Sequence, residues 1–336
     1  MSANDIKKVL VTGGAGYVGA VLVPKLLSKG FQVIVLDSMF FTGRGLDPVR
    51  SNPSLKILVG DIRNTSSVKE SLNDVDAVIH LASISNDPSG DLNLALTVEV
   101  NFNATIVLAR LAKEAGVKRF INVSTSSVYG IKEESNVTED LPLEPLTIYS
   151  KTKADAEPIV MGLGTPEFTV VTIRPATVCG YSPKMRLDLS VNILAMHAIT
   201  RGIITVFGGK QKRPNIHIDD ITDYYVDLLE LPRDKINGGI YNAGYENYTI
   251  MEIAEMVRDI IGRGVKIEVT ATNDNRSYHV SSEKIKRELG LYPKKTIRDA
   301  VLDIKNANDE GKIDWDDINF YNVQKMKQLI EKGEVV

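Results

Sequence analysis

The chain has 336 residues, 43% hydrophobic and 25% charged, with a net charge of −3 and one cysteine, Cys179. That length accommodates about two domains and a core that needs no disulfide staples. A lone cysteine excludes an internal disulfide and fits a reducing compartment. The absence of any block of like charge excludes a nucleic-acid stripe, the most basic short stretch being "GGKQKRP".

The first half alternates strand and helix. "MSANDIKKVLVTGG" enters a strand pattern almost at once and shows no signal-peptide core, so a cytoplasmic protein is expected. No apolar run is expected to approach the ~18 residues of a membrane span. "KVLVTG" (8–13), "FQVIVLD" (31–37), "LKILVG" (55–60), "DAVIHLA" (76–82) and "RFINVS" (119–124) are short runs rich in β-branched residues. Helical stretches separate them, near 17–29, 65–73, 94–115 and 147–161. The third ends at Gly116, in the position of a C-cap glycine. Continuous apolar strands divided by helices predict a doubly wound α/β fold, a parallel sheet covered on both faces, and "FTVVTIRP" (168–175) continues it.

After Pro175 the rhythm changes. Helices are predicted near 189–201, 219–230, 249–262, 281–289 and 296–306, with the short strands "ITVFG", "GIYNAG" and "VKIEVT" between them. We read a first, doubly wound domain over 1–175, to which later segments can return, and a smaller α+β lobe over 176–310. A weakly helical, peripheral tail over 311–336 completes the chain.

Four short motifs and one acid carry chemistry. "TGGAGYVG" follows the first strand and opens the first helix, with Gly13, Gly16 and Gly19 spaced GxxGxxG. Such a turn lets the backbone approach a pyrophosphate seated on the helix N-terminus. Asp37 ends the second strand, where a carboxylate accepts ribose hydroxyl protons and repels a 2′-phosphate, so NAD is favoured over NADP. "GDI" (60–62) ends the third strand, where adenine could lie or a plain turn could stand. "YSKTK" places Tyr149 and Lys153 on one helical face, and a lysine ammonium beside a phenol favours the phenolate. "STSSVYG" (124–130) adds a hydroxyl cluster at the exit of a core strand.

Taken together, "TGGAGYVG", Asp37, "GDI", "HLAS", "VSTSSVYG", "YSKTK", "RPATVCG" and "RPNIHIDD" run in one order from residue 12 to 220. The chain resembles the extended short-chain dehydrogenases/reductases of the nucleotide-sugar epimerase/dehydratase family, UDP-glucose 4-epimerase-like, and "SSEKIKRELG" extends the match to about 290. The resemblance implies a Rossmann-type NAD domain and a lobe that binds a nucleoside diphosphate sugar, in a homodimer formed through helices 94–115 and 147–161. It implies a cofactor set of Gly13, Gly16, Tyr17, Val18, Asp37, Asp61, Ile62, Leu81 and Ala82, joined by Tyr149 and Lys153. It implies Tyr149 as base, Lys153 as its partner and a hydroxyl completing the triad. Counting back from Tyr129 gives Thr125, with Ser124 one residue away as the alternative.

Substrate contacts are expected from Thr125, Ser126, Tyr149, Arg186 and Arg213, with Arg276 as a second clamp or a surface ion pair. Asn101 is expected to be structural, as is His217; Asp219 and Asp220 are expected to cap the helix that follows, and no metal site is expected. Pro158 should kink or shorten the catalytic helix. Where 4,6-dehydratases carry a glutamate for the C5 proton, and 3,5-epimerases a cysteine, this chain has Ser126 and Ser127. The pattern therefore favours redox chemistry at one carbinol, which means 4-epimerisation, or one-way dehydrogenation or ketoreduction with NAD(P). Dehydratase chemistry ranks below these, and a non-catalytic dinucleotide sensor last, since a sensor of this superfamily typically loses the Tyr or the Lys.

Overall fold

The computed structural model describes residues 6–132, 134, 136–272 and 279–335. In chain order the strands are β1 (Lys8–Thr12), β2 (Gln32–Asp37), β3 (Leu55–Val59), β4 (Ala77–His80), β5 (Arg119–Val123), β6 (Thr169–Pro175), β7 (Thr177–Cys179), β8 (Ile203–Phe207), β9 (Lys212–His217), β10 (Ile240–Ala243), β11 (Glu246–Thr249) and β12 (Lys266–Thr270). The helices are α1 (Gly19–Ser28), α2 (Thr65–Ser71), α3 (Asp87–Gly90), α4 (Leu94–Val98), α5 (Ala104–Glu114), α6 (Ile148–Met161), α7 (Ser190–Arg201), α8 (Ile218–Glu230), α9 (Arg233–Ile236), α10 (Ile250–Ile261), α11 (Glu283–Leu289), α12 (Ile297–Asp309) and α13 (Asn322–Glu331).

Seven strands form one parallel sheet in the order β10-β6-β5-β4-β1-β2-β3. The apolar run of β1 explains its place at the centre: Val9, Leu10 and Val11 are fully buried and point alternately into the clusters on the two faces. The chain moves outward from β1 to β3, then returns to lay β4 on the other side of β1. That reversal opens a crevice at the carboxyl ends of β1 and β4, the position where doubly wound sheets bind ligands.

Later segments do return to the sheet. β10 pairs with β6 and forms the sheet's edge, α8 lies against α1 and β5, and Ile285 and Leu289 of α11 join the same core. The lobe is therefore discontinuous. It consists of a three-stranded sheet (β11-β9-β7), a two-stranded sheet (β12-β8), and α7, α10 and α12 around Leu194, Ile204, Ile253, Val257 and Ile304.

Three expectations need correction. The C-terminal segment is not peripheral: Met326, Leu329 and Val335 are buried in the cluster that holds Leu10, Val78 and Leu108. Leu94–Glu114 form one helical run of 21 residues, by length and composition apolar enough to cross a bilayer; it lies against the sheet and α6, with half of its most apolar window buried. Pro158 does not shorten α6, which runs on to Met161, though it leaves the Ala154 carbonyl without the N–H an i+4 residue would donate.

Candidate active site

A cavity of about 680 Å³ runs from the β1/β4 crevice into the lobe. At one end is the glycine turn. Gly13 has φ +70°, and a Cβ there would stand 2.7 Å from the backbone of Ala82, so only glycine lets the β1 and β4 loops touch. Asp37 closes this end. Its Oδ2 accepts the Ala15 N–H (3.0 Å) and its Oδ1 the Met39 N–H (2.9 Å), so it also fastens the glycine turn. Burial raises its pKa above the ordinary carboxylate value, and the two backbone donors oppose that shift. Tyr17, Val18, Asp61, Ile62 and Leu81 line the same compartment with Gly13, Gly16 and Ala82.

The middle of the cavity holds the hydroxyl run and the Tyr-Lys pair. Thr147 opens α6 with a capping box, reciprocated by Ser150, which fixes the first turn on which Tyr149 sits. Lys153, one turn on, is buried, and its Nζ donates to the carbonyl of Val123 at 3.0 Å. Burial lowers its pKa to about 8, against a smaller upward pull from Glu157. Thr125 is extended, and its Oγ1 accepts the Ser127 N–H (3.1 Å), which leaves its own proton to donate into the cavity. Ser124 Oγ is buried with no partner within the described residues. Ser126, Ser127 and Tyr149 line the same stretch.

This geometry is held from behind. Arg174 binds Glu157 of α6 (2.6 Å) and the Tyr129 hydroxyl (2.7 Å), which in turn donates to Asn242 (2.7 Å). Tyr129 of "VYG" thus ties the hydroxyl loop to α6 and β10. Gly130, at φ +69°, turns the chain where a Cβ would collide with the Glu144 carbonyl. Asn101 lies in a π-helical turn (Glu99–Asn103) between α4 and α5, accepting from Ser83 Oγ and the Ile84 N–H and donating to the Ile84 carbonyl. It is structural, holding the loop after β4.

The lobe supplies the far end. Arg186 is partly buried, bidentate with Asp188 (3.0 and 2.7 Å) and bonded to Ser85. Arg213 lines the cavity beside Phe207 and Gln211. Arg276 lies outside the described residues. Asp219 and Asp220 do not cap α8. The cap is His217, whose Nδ1 accepts the Asp219 N–H (3.0 Å); Asp220 instead binds the N–H groups of Lys294 and Lys295. His217, Asp219 and Asp303 converge as a metal set would, but the Lys295 ammonium bonds both carboxylates (2.7 and 3.1 Å) and supplies the positive charge there.

A glycine turn at a helix N-terminus, an acid at the end of β2 and a Tyr-Lys pair on a capped helix thus share one cavity. The profile of the NAD dependent epimerase/dehydratase family matches residues 9–244. The chain belongs to that family. Among similar proteins is UDP-glucuronic acid decarboxylase 1 of Arabidopsis thaliana, 32% identical over 330 residues, 91% of this chain and 72% of the relative. The UDP-glucose 4-epimerase of Bacillus subtilis is 27% identical, covering 88% and 95%. Among solved structures, UDP-glucuronic acid 4-epimerase from Bacillus cereus with UDP-glucuronic acid and NAD superposes with a TM-score of 0.80 at 28% identity, covering 89% of this chain and 99% of that one.

The fold is that of the extended short-chain dehydrogenases/reductases, and the chain is an NAD-dependent enzyme of this family. Its residues fit the cofactor: a carboxylate stands at the end of β2, glycine at Gly13 keeps the crevice open, and the α1 N-terminus faces it. Among the cavity residues outside the expected set are Lys184, His197 and Asn322. Lys184 lies in "YSPKMR" (181–186), the stretch placed near the sugar through Arg186, whereas His197 carries no motif and Asn322 belongs to the segment that reads as a tail.

Proposed function

We propose that this family member is a nucleoside diphosphate sugar 4-epimerase. The observation that carries the reading is the pair Ser126–Ser127 beside Thr125, where removal of a proton from C3 or C5 of the sugar would need a carboxylate or a thiol. When bound, NAD supplies the acceptor for the C4 hydride and the donor for its return. The protein's own residues handle the proton. Tyr149 as phenolate takes the C4 hydroxyl proton, Lys153 stabilises that phenolate, and Thr125 donates to the sugar oxygen. The 4-keto sugar turns in the cavity while Arg213 holds the diphosphate, and Tyr149 gives the proton back after hydride return to the other face.

A second reading has two observations in its favour. Arg186 lines the cavity with Tyr149, and the similarity to a UDP-glucuronic acid decarboxylase suggests a uronic acid as substrate. Loss of CO2 from a 4-keto uronic acid needs no carboxylate base, so Ser126 and Ser127 do not oppose it. One experiment separates the readings. The protein is incubated with NAD+ and UDP-, GDP-, CDP- and dTDP-hexoses and uronic acids, with products followed by NMR. A C4 epimer without net NADH supports the first reading, and CO2 with a pentose supports the second. Stoichiometric NADH or a 4-keto-6-deoxy sugar contradicts both. We also propose a homodimer through the faces bearing Leu94 and Ile159, which are exposed; sedimentation velocity would show a single species of monomer mass if this is wrong.

A further inference from the structure

We propose that Lys184 is a phosphate-binding group of the dinucleotide site and that Asn322, from the C-terminal segment, positions it. The inference rests on the NAD site and is independent of the epimerase reading.

The segment carrying Lys184 is laid directly over the glycine turn. Ser182 Oγ donates to the Tyr17 carbonyl (2.7 Å) and accepts the Lys184 N–H (3.3 Å), while the Tyr17 hydroxyl donates to the Gly180 carbonyl (2.7 Å). A Cβ on Gly45 would touch Lys184 Cβ at 3.1 Å and the Ala15 carbonyl at 3.4 Å, so the lysine stem and the turn share one wall. The side chain lines the cavity and is 1% exposed.

Its surroundings are those of a cation awaiting an anion. Nζ donates to Asn322 Oδ1 at 2.6 Å and stands 4.8 Å from the centre of the Phe41 ring. Both partners are electrically neutral, and Arg186 acts on it as a like charge. Asp37, Asp188 and Asp317 attract it only at longer range: Asp37 is committed to backbone donors, Asp188 to Arg186 and Asp317 to Arg44. An ammonium buried without a matching charge is costly in the ligand-free protein. A diphosphate on the α1 N-terminus beside it supplies that charge, and the cost becomes a gain on binding. Asp37 at the ribose disfavours a 2′-phosphate, which leaves the pyrophosphate as the anion.

Asn322 reaches this point because α13 is anchored elsewhere. Met326 and Leu329 are buried beside the sheet, and the Arg44–Asp317 ion pair (3.1 Å) joins the preceding turn to the loop after β2. The segment that reads as a tail in the sequence therefore completes the wall of the cofactor site.

Calorimetric or NMR titration of the full chain with adenosine, ADP and NAD+ tests this. Lys184→Met is expected to weaken ADP and NAD+ by about tenfold to a hundredfold and to leave adenosine unchanged, with Lys184→Arg retaining most of the affinity. Asn322→Asp places a permanent counter-charge on Lys184. It is expected to raise the melting temperature of the ligand-free protein while weakening ADP and NAD+, a pairing that a purely structural role would not give. It also answers the question should Lys184→Met not fold. The proposal is overturned if the folded variants bind ADP and NAD+ as the parent does, or lose adenosine in the same proportion.

Discussion

"KVLVT" in β1 and "KIEVT" in β12 are five-residue strands of nearly the same composition, and the fold treats them oppositely. β1 lies between β2 and β4 with four of its five residues buried; β12 pairs with β8 alone, and its Val269 is 56% exposed. Similar strand propensity thus produces a core in one half and a rim in the other. The difference maps onto function. The buried sheet holds Thr125, Tyr149 and Lys153 through β5, α6 and the Arg174 network, where a small displacement would cost the chemistry. The lobe holds Arg213 on a strand of a small three-stranded sheet, where the surroundings can vary without dismantling the core.

That contrast can be broken at several points. The largest effect is expected at Tyr149→Phe, which should lower kcat by about 10³-fold or more while calorimetry shows NAD+ binding retained. Leu10→Ala should cost about 2–5 kcal/mol of unfolding free energy by denaturant titration, because the sheet is closed on both faces there. Arg213→Ala should raise KM by about tenfold or more with a smaller change in kcat, since it removes uniform binding of the diphosphate. Val269→Ala should change stability by less than about 0.5 kcal/mol. A loss at Val269 comparable with that at Leu10 would end the distinction between core and rim.

A pH experiment sharpens the same comparison at the cofactor end. Burial lowers the Lys184 pKa to about 7 in the folded protein, with Arg186 adding to the fall and Asp188, Asp37 and Asp317 opposing it. The unfolded chain keeps this lysine near ~10.4. Between these values the unfolded state binds more protons, so the Lys184 contribution to stability rises with pH. Below about pH 7 it is charged in both states and its burial is fully unfavourable. Lys184→Met should therefore stabilise the ligand-free protein most at low pH, with the gain shrinking as pH rises. Melting curves of parent and variant that stay parallel across that range would contradict this.

Sequence legibility followed the same division. Runs such as "KVLVT" and "RFINV" need no partner information, because burial on both faces writes itself as unbroken apolar residues. The long helix at 94–115 and the capped catalytic helix were legible for the same local reasons. β9 was not: it opens Lys-Arg-Pro, and it is a strand only because β7 and β11 bond to its two edges. The cap of α8 was assigned to Asp219 and Asp220, whereas His217 performs it and Lys25 and Lys295 claim Asp219. Lys184 and Asn322 are 138 positions apart, and nothing near either residue announces their contact.

The proposed epimerase confines its chemistry to hydride transfer at one carbon. This is tested most directly by a nucleotide sugar deuterated at C4, turned over with NAD+ in the presence of excess unlabelled NADH. A 4-epimerase gives an inverted C4 product that keeps its deuterium, because the same cofactor returns what it took. Deuterium appearing in the free NADH pool, or a product altered at C5 or C6, would contradict it.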